Sequence, residues 1–457
     1  MMTNIIKKIA ERIGMDKAIA YSSGARIIQA FTGVATIFFI ATFLSGEEQG
    51  FYYTFGSLLS IQIFFELGLT GIITQYVAHE AAHVKILDNG NIEGEGKYRS
   101  RLASLIHFSA KWYAIISILF LIIVVIAGLV FFKTFDESCD TISWRIPWVL
   151  ICIGSAIKLF QSPFTSILMG LDKVKEMNKI GFYQQIILPT TLWLGLILGW
   201  KLYVVGISSI IAALIWNIYI ARTSLQRIIV NLWKENITER ISYMQEIFPY
   251  QWRIALSWVS GYFIFQLFNP VLFATEGAAV AGKMGMTLNV MSAIQALALS
   301  WLFTKVPLYS RLIALKDYLQ LDRVFKSTVK NMSLVCFTLF ILMILGVWLL
   351  RVLNIEFNGN KLGERFLDFG PMLLMMASAF INLFVNAWAT YLRCHKKEPF
   401  LINSICAGVL CTLSTILLGK LYGLYGITIG YFSITLALLP WSYYLFYSNK
   451  KKWHESK

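Results

Sequence analysis

The run YAIISILFLIIVVIAGLVFF, residues 113–132, decides the fold class. It carries no charge over twenty residues. At 1.5 Å per helical residue it covers about 30 Å, the hydrocarbon thickness of a bilayer. Runs of this kind recur throughout the 457 residues, of which 57% are hydrophobic and 14% charged. An ordinary soluble domain carries about 25% charged residues, so a water-soluble globular protein is excluded. Strand-period alternation is absent, which argues against a barrel. The expected fold is an all-α polytopic membrane protein.

Twelve spans are read from the apolar runs: 18–44, 50–76, 109–132, 146–169, 179–199, 202–221, 248–274, 279–304, 332–353, 366–391, 398–418 and 423–447. Sorting Lys and Arg by the side of these spans gives 28 on the N-terminal side and 7 on the other. Arg26, Lys158, Arg253 and Lys283 fall inside spans, and Arg222 at a span end. Cytoplasmic loops retain positive charge, so both termini are expected in the cytoplasm. The formal charge of +15 is then mainly a topology signal, and no nucleic-acid partner is expected. Residues 1–17 place Ile5, Ile9 and Ile13 one turn apart with Lys7, Lys8 and Arg12 between them, the pattern of an interfacial helix. The apolar run that follows lacks a small-residue cleavage site and is expected to be retained. Of six cysteines, Cys152, Cys336, Cys406 and Cys411 fall in spans, so no disulfide framework is expected.

A polar interruption at residues 222–247 separates six spans from six. Each half opens with a basic residue in its first span, Arg26 or Arg253, and that span ends at an acidic turn, Ser45–Gln49 or Thr275–Gly277. The expected organisation is an interfacial helix (1–17), an N-terminal lobe (18–221), a cytoplasmic linker (222–247), a C-terminal lobe (248–447) and a basic tail (448–457). Two pseudo-symmetric six-helix lobes around a central cavity are a layout that transporters with parallel repeats adopt.

The stretches Ser22-Ser23-Gly24-Ala25-Arg26, Ser45-Gly46-Glu47-Glu48-Gln49-Gly50-Phe51-Tyr52-Tyr53, Phe65-Glu66-Leu67-Gly68-Leu69-Thr70 and Gln75-Tyr76-Val77-Ala78 resemble the opening of Wzx-type polysaccharide flippases. These belong to the multidrug/oligosaccharidyl-lipid/polysaccharide exporter (MOP) superfamily. The resemblance covers residues 20–80 and is one of layout thereafter. It implies a twelve-helix, alternating-access transporter of the bacterial inner membrane. Such a carrier turns undecaprenyl-pyrophosphate-linked oligosaccharide from the cytoplasmic to the outer leaflet, for O-antigen, capsule or exopolysaccharide synthesis. The resemblance implies an H+ or Na+ gradient as coupling partner, membrane lipids as surroundings, the polysaccharide polymerase machinery as a further partner, and no cofactor. Glu66 departs from the aspartate expected before Leu-Gly, conserving charge.

A charge near the bilayer centre costs about 2.5 to 3.5 kcal/mol on insertion scales, so intramembrane charges are functional candidates. Lys158 lies near the middle of its span, on a face with Ser155, Ser162 and Ser166. Arg26 shares a stripe with Ser22, Gln29, Gly33 and Thr36. Arginine offers phosphate a bidentate fork and lysine a point charge, so Arg26, Lys158, Arg253 and Lys283 suit a pyrophosphate. Arg253 and Lys283 lie close to span ends, where snorkelling is the alternative. Glu66 heads an i+4 ladder of Gln62, Glu66, Thr70 and Thr74 that suits ion coupling, and it falls level with Arg26, so an ion pair competes with substrate for that arginine. Sugar hydroxyls need a polar groove, and Ser378, Asn382, Asn386 and Thr390 offer one wall, with Thr287, Asn289, Ser292 and Gln295 a second. Small and amide residues also hold helices together. Trp112, Trp252 and Trp441, and Trp144, Trp200 and Trp348, read as two aromatic belts.

His79-Glu80-Ala81-Ala82-His83 matches the H-E-x-x-H pattern of zinc proteases. No third ligand is evident, and an interfacial helix end is the expected reading, with no metal site and no catalytic residue. The alternatives in other classes are a multidrug cation antiporter of the same superfamily, which would favour acids over bases in the cavity, and a membrane glycosyltransferase or polymerase, which would need a larger outer loop or a carboxylate cluster.

Overall fold

The computed structural model describes residues 31–87, 90–135, 141–395 and 397–455, apart from the side chains of Tyr250, Arg253, Ile254, Ser257 and Glu455. The chain divides into two compact units. Met1–Phe39, Ile61–Thr134 and Asp140–Ala255 form the first, and Ile40–Ser60, Phe135–Cys139 and Leu256–Lys457 the second. Ile40–Ser60, counted with the first half in sequence, therefore packs within the second unit. Among the described residues eight helices are long and apolar enough to cross a membrane, or nine if the bent pair Gly46–Glu66 and Leu69–Ala81 counts as one span. The interfacial helix expected over residues 1–17 lies outside the described residues.

The chain enters through α1 (Phe31–Phe43) and α2 (Gly46–Leu59). Ser45 caps α2 reciprocally: its hydroxyl accepts from the Glu48 N–H at 3.0 Å, and Glu48 accepts from the Ser45 N–H at 2.8 Å. The span continues through a 3-10 turn and the short α3 (Ile63–Glu66), then breaks before α4 (Leu69–Ala81) with a bend of 43°. Leu67 and Gly68 both adopt left-handed backbone, φ 48° and 71°, which no α-helix accommodates. The polar ladder from Gln62 to Thr74 is thus divided over two helices and a 3-10 turn, and is not the single helical stripe its spacing predicts.

The first unit continues through the hairpin β1–β2 (Val84–Ile86, Ile92–Gly94) into α5 (Gly96–Phe135), α6 (Arg145–Gly170), α7 (Val174–Ile197) and α8 (Tyr203–Ala221). α6 and α8 approach closely because a Cβ at Gly206 would overlap the Leu150 side chain and the Ile151 backbone. Trp148 and Trp144 are fully buried, Trp144 against Phe132. Trp144 therefore belongs to the core and not to a belt, whereas Trp112, Trp200, Trp252 and Trp348 are exposed as a belt requires. Residues 222–247 hold α9 (Ser224–Lys234), which buries Leu225, Ile228 and Leu232 on one face, and a π-turn over Tyr243–Ile247.

In the second unit come α10 (Phe248–Phe265), α11 (Phe268–Glu276), α12 (Ala278–Phe303), α13 (Val306–Ala314) and α14 (Tyr318–Val352). α10 begins in the first unit and ends in the second. The chain then passes through hairpin β3–β4 (Glu356–Phe357, Asn360–Lys361) to α15 (Phe369–Arg393) and α16 (Leu401–Glu455). α2 lies directly on α12, since a side chain at Gly50 would overlap the Ala278 carbonyl. Gln49 Nε2 fixes this contact by donating to the Gly282 and Arg365 carbonyls at 2.8 and 3.2 Å. Arg365 is buried, donates to the Leu44 carbonyl at 2.6 Å, and is held below its usual pKa by burial, with Glu48 and Glu364 opposing.

α16 is two antiparallel arms folded at Gly423, where φ 55° and ψ −135° leave the helical region. Ser442 and Asn403, 39 residues apart, meet across the arms at 3.4 Å. The Leu424 N–H at the start of the second arm donates to Glu276 Oε1 at 2.7 Å, so the acid ending α11 caps it.

Candidate functional site

Each unit holds a polar cavity beside a break between two helices, and the first of these breaks lies in a bent pair apolar enough to cross a membrane. In the first unit a cavity of about 500 Å³ is lined by Glu66 and Thr70 from the break between α3 and α4, by Lys158, Gln161, Ser162, Thr165 and Ser166 from α6, by Gln184 and Gln185 from α7, and by Trp216 from α8. Lys158 sits midway along α6 and, among the described residues, forms no ion pair within 4 Å. Glu66 shares this cavity and accepts from the Thr70 hydroxyl at 2.6 Å. Thr74 instead donates to the Thr70 and Ser166 carbonyls at 3.1 and 3.2 Å, joining α4 to α6.

Helical spacing groups Ser155, Ser162 and Ser166 with Lys158; the cavity contains Ser162 and Ser166, and Ser155 does not line it. Gln161, Gln184 and Trp216 escape the sequence reading. Gln161 and Gln184 donate to the Ala213 and Ala212 carbonyls at 2.9 and 2.7 Å, and the Trp216 N–H donates to Thr165 at 3.0 Å. The signal that could have found this wall is Gln184-Gln185, an uncharged polar pair inside an apolar run.

In the second unit a cavity of about 440 Å³ lies where Gln266 and Leu267 separate α10 from α11. Among the described residues no charged side chain lines it. Its polar groups are Ser57 on α2 and Ser60 just after it, Gln266 and Asn269 at the break, Asn289, Ser292 and Gln295 on α12, Asn382 and Asn386 on α15, and the Tyr53 and Tyr431 hydroxyls. Asn382 donates to Tyr431 at 2.9 Å, Asn386 to the Asn382 carbonyl at 3.0 Å, and Gln295 to the Ala379 carbonyl at 2.9 Å. Asn269 Nδ2 donates to Ser57 at 3.1 Å, while its buried Oδ1 and the Tyr53 hydroxyl have no protein partner among the described residues.

The two predicted polar stripes are divided. Asn382, Asn386, Asn289, Ser292 and Gln295 line the cavity, whereas Ser378, Thr390 and Thr287 are buried outside it. Ser378 bonds the Leu374 carbonyl and Thr287 accepts from the Leu367 N–H, so these hydroxyls serve helix packing. Lys283 lies near the start of α12, half-buried, and lines neither cavity. Arg26, Gln29 and the Arg253 side chain lie outside the described residues, and with them the expected pairing of Arg26 with Glu66.

The H-E-x-x-H stretch has a structural partner. Glu80 is buried and accepts from Arg101 Nε at 2.9 Å, and Arg101 reaches Glu246 of the π-turn at 2.7 Å. Burial pushes the Glu246 carboxyl up, but the Ser242 N–H and the Arg101 guanidinium outweigh it and hold it below the usual carboxylate range. His83 stacks on Tyr98 at 4.0 Å. Among the described residues no group of three His, Cys, Asp or Glu is placed to hold a metal.

No family model matches the sequence, and no curated protein matches it. Solved structures do. A multidrug resistance MATE family transporter of the MOP superfamily, in an inward-facing conformation, is 13% identical with a TM-score of 0.71, over 97% of this chain and 100% of that one. The lipid II flippase MurJ is 12% identical with a TM-score of 0.56, over 94% and 87%. The MATE multidrug transporter DinF-BH, solved as a complex, is 13% identical with a TM-score of 0.54, over 94% and 95%. All three are carriers and not enzymes. Identities this low establish the fold alone: this is a multi-pass helical membrane protein with the fold shared by MATE transporters and the lipid II flippase.

Proposed function

We propose that the protein flips undecaprenyl-pyrophosphate-linked oligosaccharide from the cytoplasmic to the outer leaflet of the bacterial inner membrane by alternating access, for surface polysaccharide synthesis. In this reading it has twelve spans in two lobes and both termini in the cytoplasm. The observation that carries it is Lys158, a base that among the described residues has no carboxylate within 4 Å, held in a polar cavity midway along a membrane-crossing helix. A diphosphate is the anion such a base suits, and it compensates the cost of keeping the lysine there. The amides and hydroxyls of the second cavity suit sugar hydroxyls, because a carboxamide both donates and accepts. Arg26, Arg253 and Lys283 are further phosphate ligands in this proposal, Gln29 a sugar ligand, and Glu66 the site of coupling to H+ or Na+.

A second reading is favoured by one observation. Glu66 offsets the Lys158 charge in the same cavity, and a lone carboxylate there also suits export of an organic cation. The two readings separate in purified protein reconstituted into vesicles and assayed for both cargoes. Flipping of a short-chain polyprenyl-pyrophosphate glycan without uptake of a cationic dye is the expected outcome. Dye transport without flipping would replace the proposal with the antiporter. In cells, deletion of the gene is expected to leave a lipid-linked oligosaccharide on the cytoplasmic leaflet.

A further inference from the structure

In the second unit a groove of about 620 Å³ runs between α14, α15 and the end of α16, sharing no lining residue with either polar cavity. Its two ends differ in chemistry. At one end stand Lys326 and Lys330, one turn apart on α14, with Lys450 of α16. Beyond them the walls are apolar, formed by Leu334, Phe337, Phe384 and Trp388. Leu334 and Phe337 are 63% and 55% exposed, so this is a surface furrow and not part of the core.

Charge is unbalanced at the polar end. Lys450 is committed to Asp322 at 2.6 Å, the one acid lining the groove among the described residues. Lys326 and Lys330 are exposed and, among the described residues, have no carboxylate within 4 Å. The position along the helix is equally informative. From Asn331 to Leu350 α14 carries no charge, twenty residues, so its apolar part begins directly after Lys330. The lysines therefore stand at headgroup level, and the apolar walls begin where acyl chains begin. Neither the cargo path nor the ion coupling proposed above calls on these residues.

We propose that this groove is a binding site for an anionic phospholipid of the surrounding bilayer, with the phosphate between Lys326 and Lys330 and an acyl chain along Phe337 and Trp388. Paired basic side chains at a helix boundary recognise acidic headgroups, and the furrow below gives one chain a fixed place. A zwitterionic lipid satisfies the walls but leaves the two lysines without a net counter-charge.

The test uses the full chain in detergent, incubated with phosphatidylglycerol or phosphatidylcholine of identical chains, with bound lipid counted by native mass spectrometry. The wild type is expected to retain one phosphatidylglycerol in preference to phosphatidylcholine, and the double variant Lys326→Gln/Lys330→Gln to lose that preference by about tenfold. Trp388→Ala is expected to weaken both lipids alike. Lys330→Glu, a single exposed change, gives an independent reading and is expected to reverse the preference. Equal retention of the two lipids by the wild type, or an undiminished preference in both lysine variants, would overturn the proposal. Displacement of phosphatidylglycerol by equimolar undecaprenyl phosphate would also overturn it, by showing that the groove takes a polyprenyl chain.

Discussion

The two cavities are built alike and furnished differently. Each lies where one helix gives way to the next, after Glu66 in the first unit and at Gln266 in the second. At the first break the chain has an acid, facing a cavity that also holds a lysine; at the second it has an amide, in a cavity that no charged side chain lines among the described residues. Breaking a helix in a membrane frees backbone groups that need polar company, so both breaks attract hydroxyls and amides. That common need explains what the cavities share. It does not explain Lys158 and Glu66, whose placement costs more than any backbone repair requires, and this difference divides the proposed labour into anion and coupling on one side and sugar on the other.

The sharpest way to break that division is Lys158→Gln, which removes the charge and keeps a polar chain. Loss of a charge-assisted contact of about 1.5 to 3 kcal/mol is expected to slow flipping by about ten- to a hundredfold in reconstituted vesicles, with Lys158→Arg recovering part of it. An effect no larger than that of an amide in the second cavity would mean that Lys158 is structural. To show that such losses are functional, Arg101→Gln serves as the stability comparison. It strands the buried Glu80 and is expected to cost about 2 kcal/mol, read as a lower melting temperature. This lock also has a pH signature. Glu246 is held below its ordinary value, so its contribution is complete above about pH 4.3 and is lost as pH falls through the folded pKa. Below about pH 4.3 the wild type should therefore lose melting temperature faster than Arg101→Gln.

Glu66→Gln is expected to slow flipping by about tenfold and to abolish its dependence on an imposed proton or sodium gradient. Persistence of the gradient dependence would remove Glu66 from coupling and leave the first cavity with a base alone as its functional charge. The smallest effect belongs to the second cavity. Asn386→Ala removes one neutral hydrogen-bonding group of about 1 kcal/mol and is expected to lower the rate about threefold to fivefold, with a larger deficit for longer glycans.

Much of this is legible in the sequence. The apolar runs mark the long apolar helices, and charge inside those runs singles out Lys158 and Glu66, which the fold brings to one cavity. What is not legible has two physical causes. Periodicity reports which side chains share a helix face but assumes that the helix is continuous, so Leu67-Gly68 and Gln266-Leu267 pass unnoticed inside apolar runs. It also cannot tell a hydroxyl that faces a cavity from one that bonds its own helix, which is why Ser378 groups with Asn382 and Asn386. Trp144 fails for a related reason: a tryptophan at a span end is as suited to the core as to the interface, and its packing partners, Phe132 among them, decide.

The capping of Leu424 by Glu276 reaches into the order of synthesis. The arms of α16 meet at a tip without a loop, and the carboxylate that caps the second arm was made 148 residues earlier. Synthesis runs from the N-terminus, so Glu276 is in the chain before the turn that it caps. A tag inserted at Gly423 should leave a protein that is made and membrane-inserted yet unfinished at that corner.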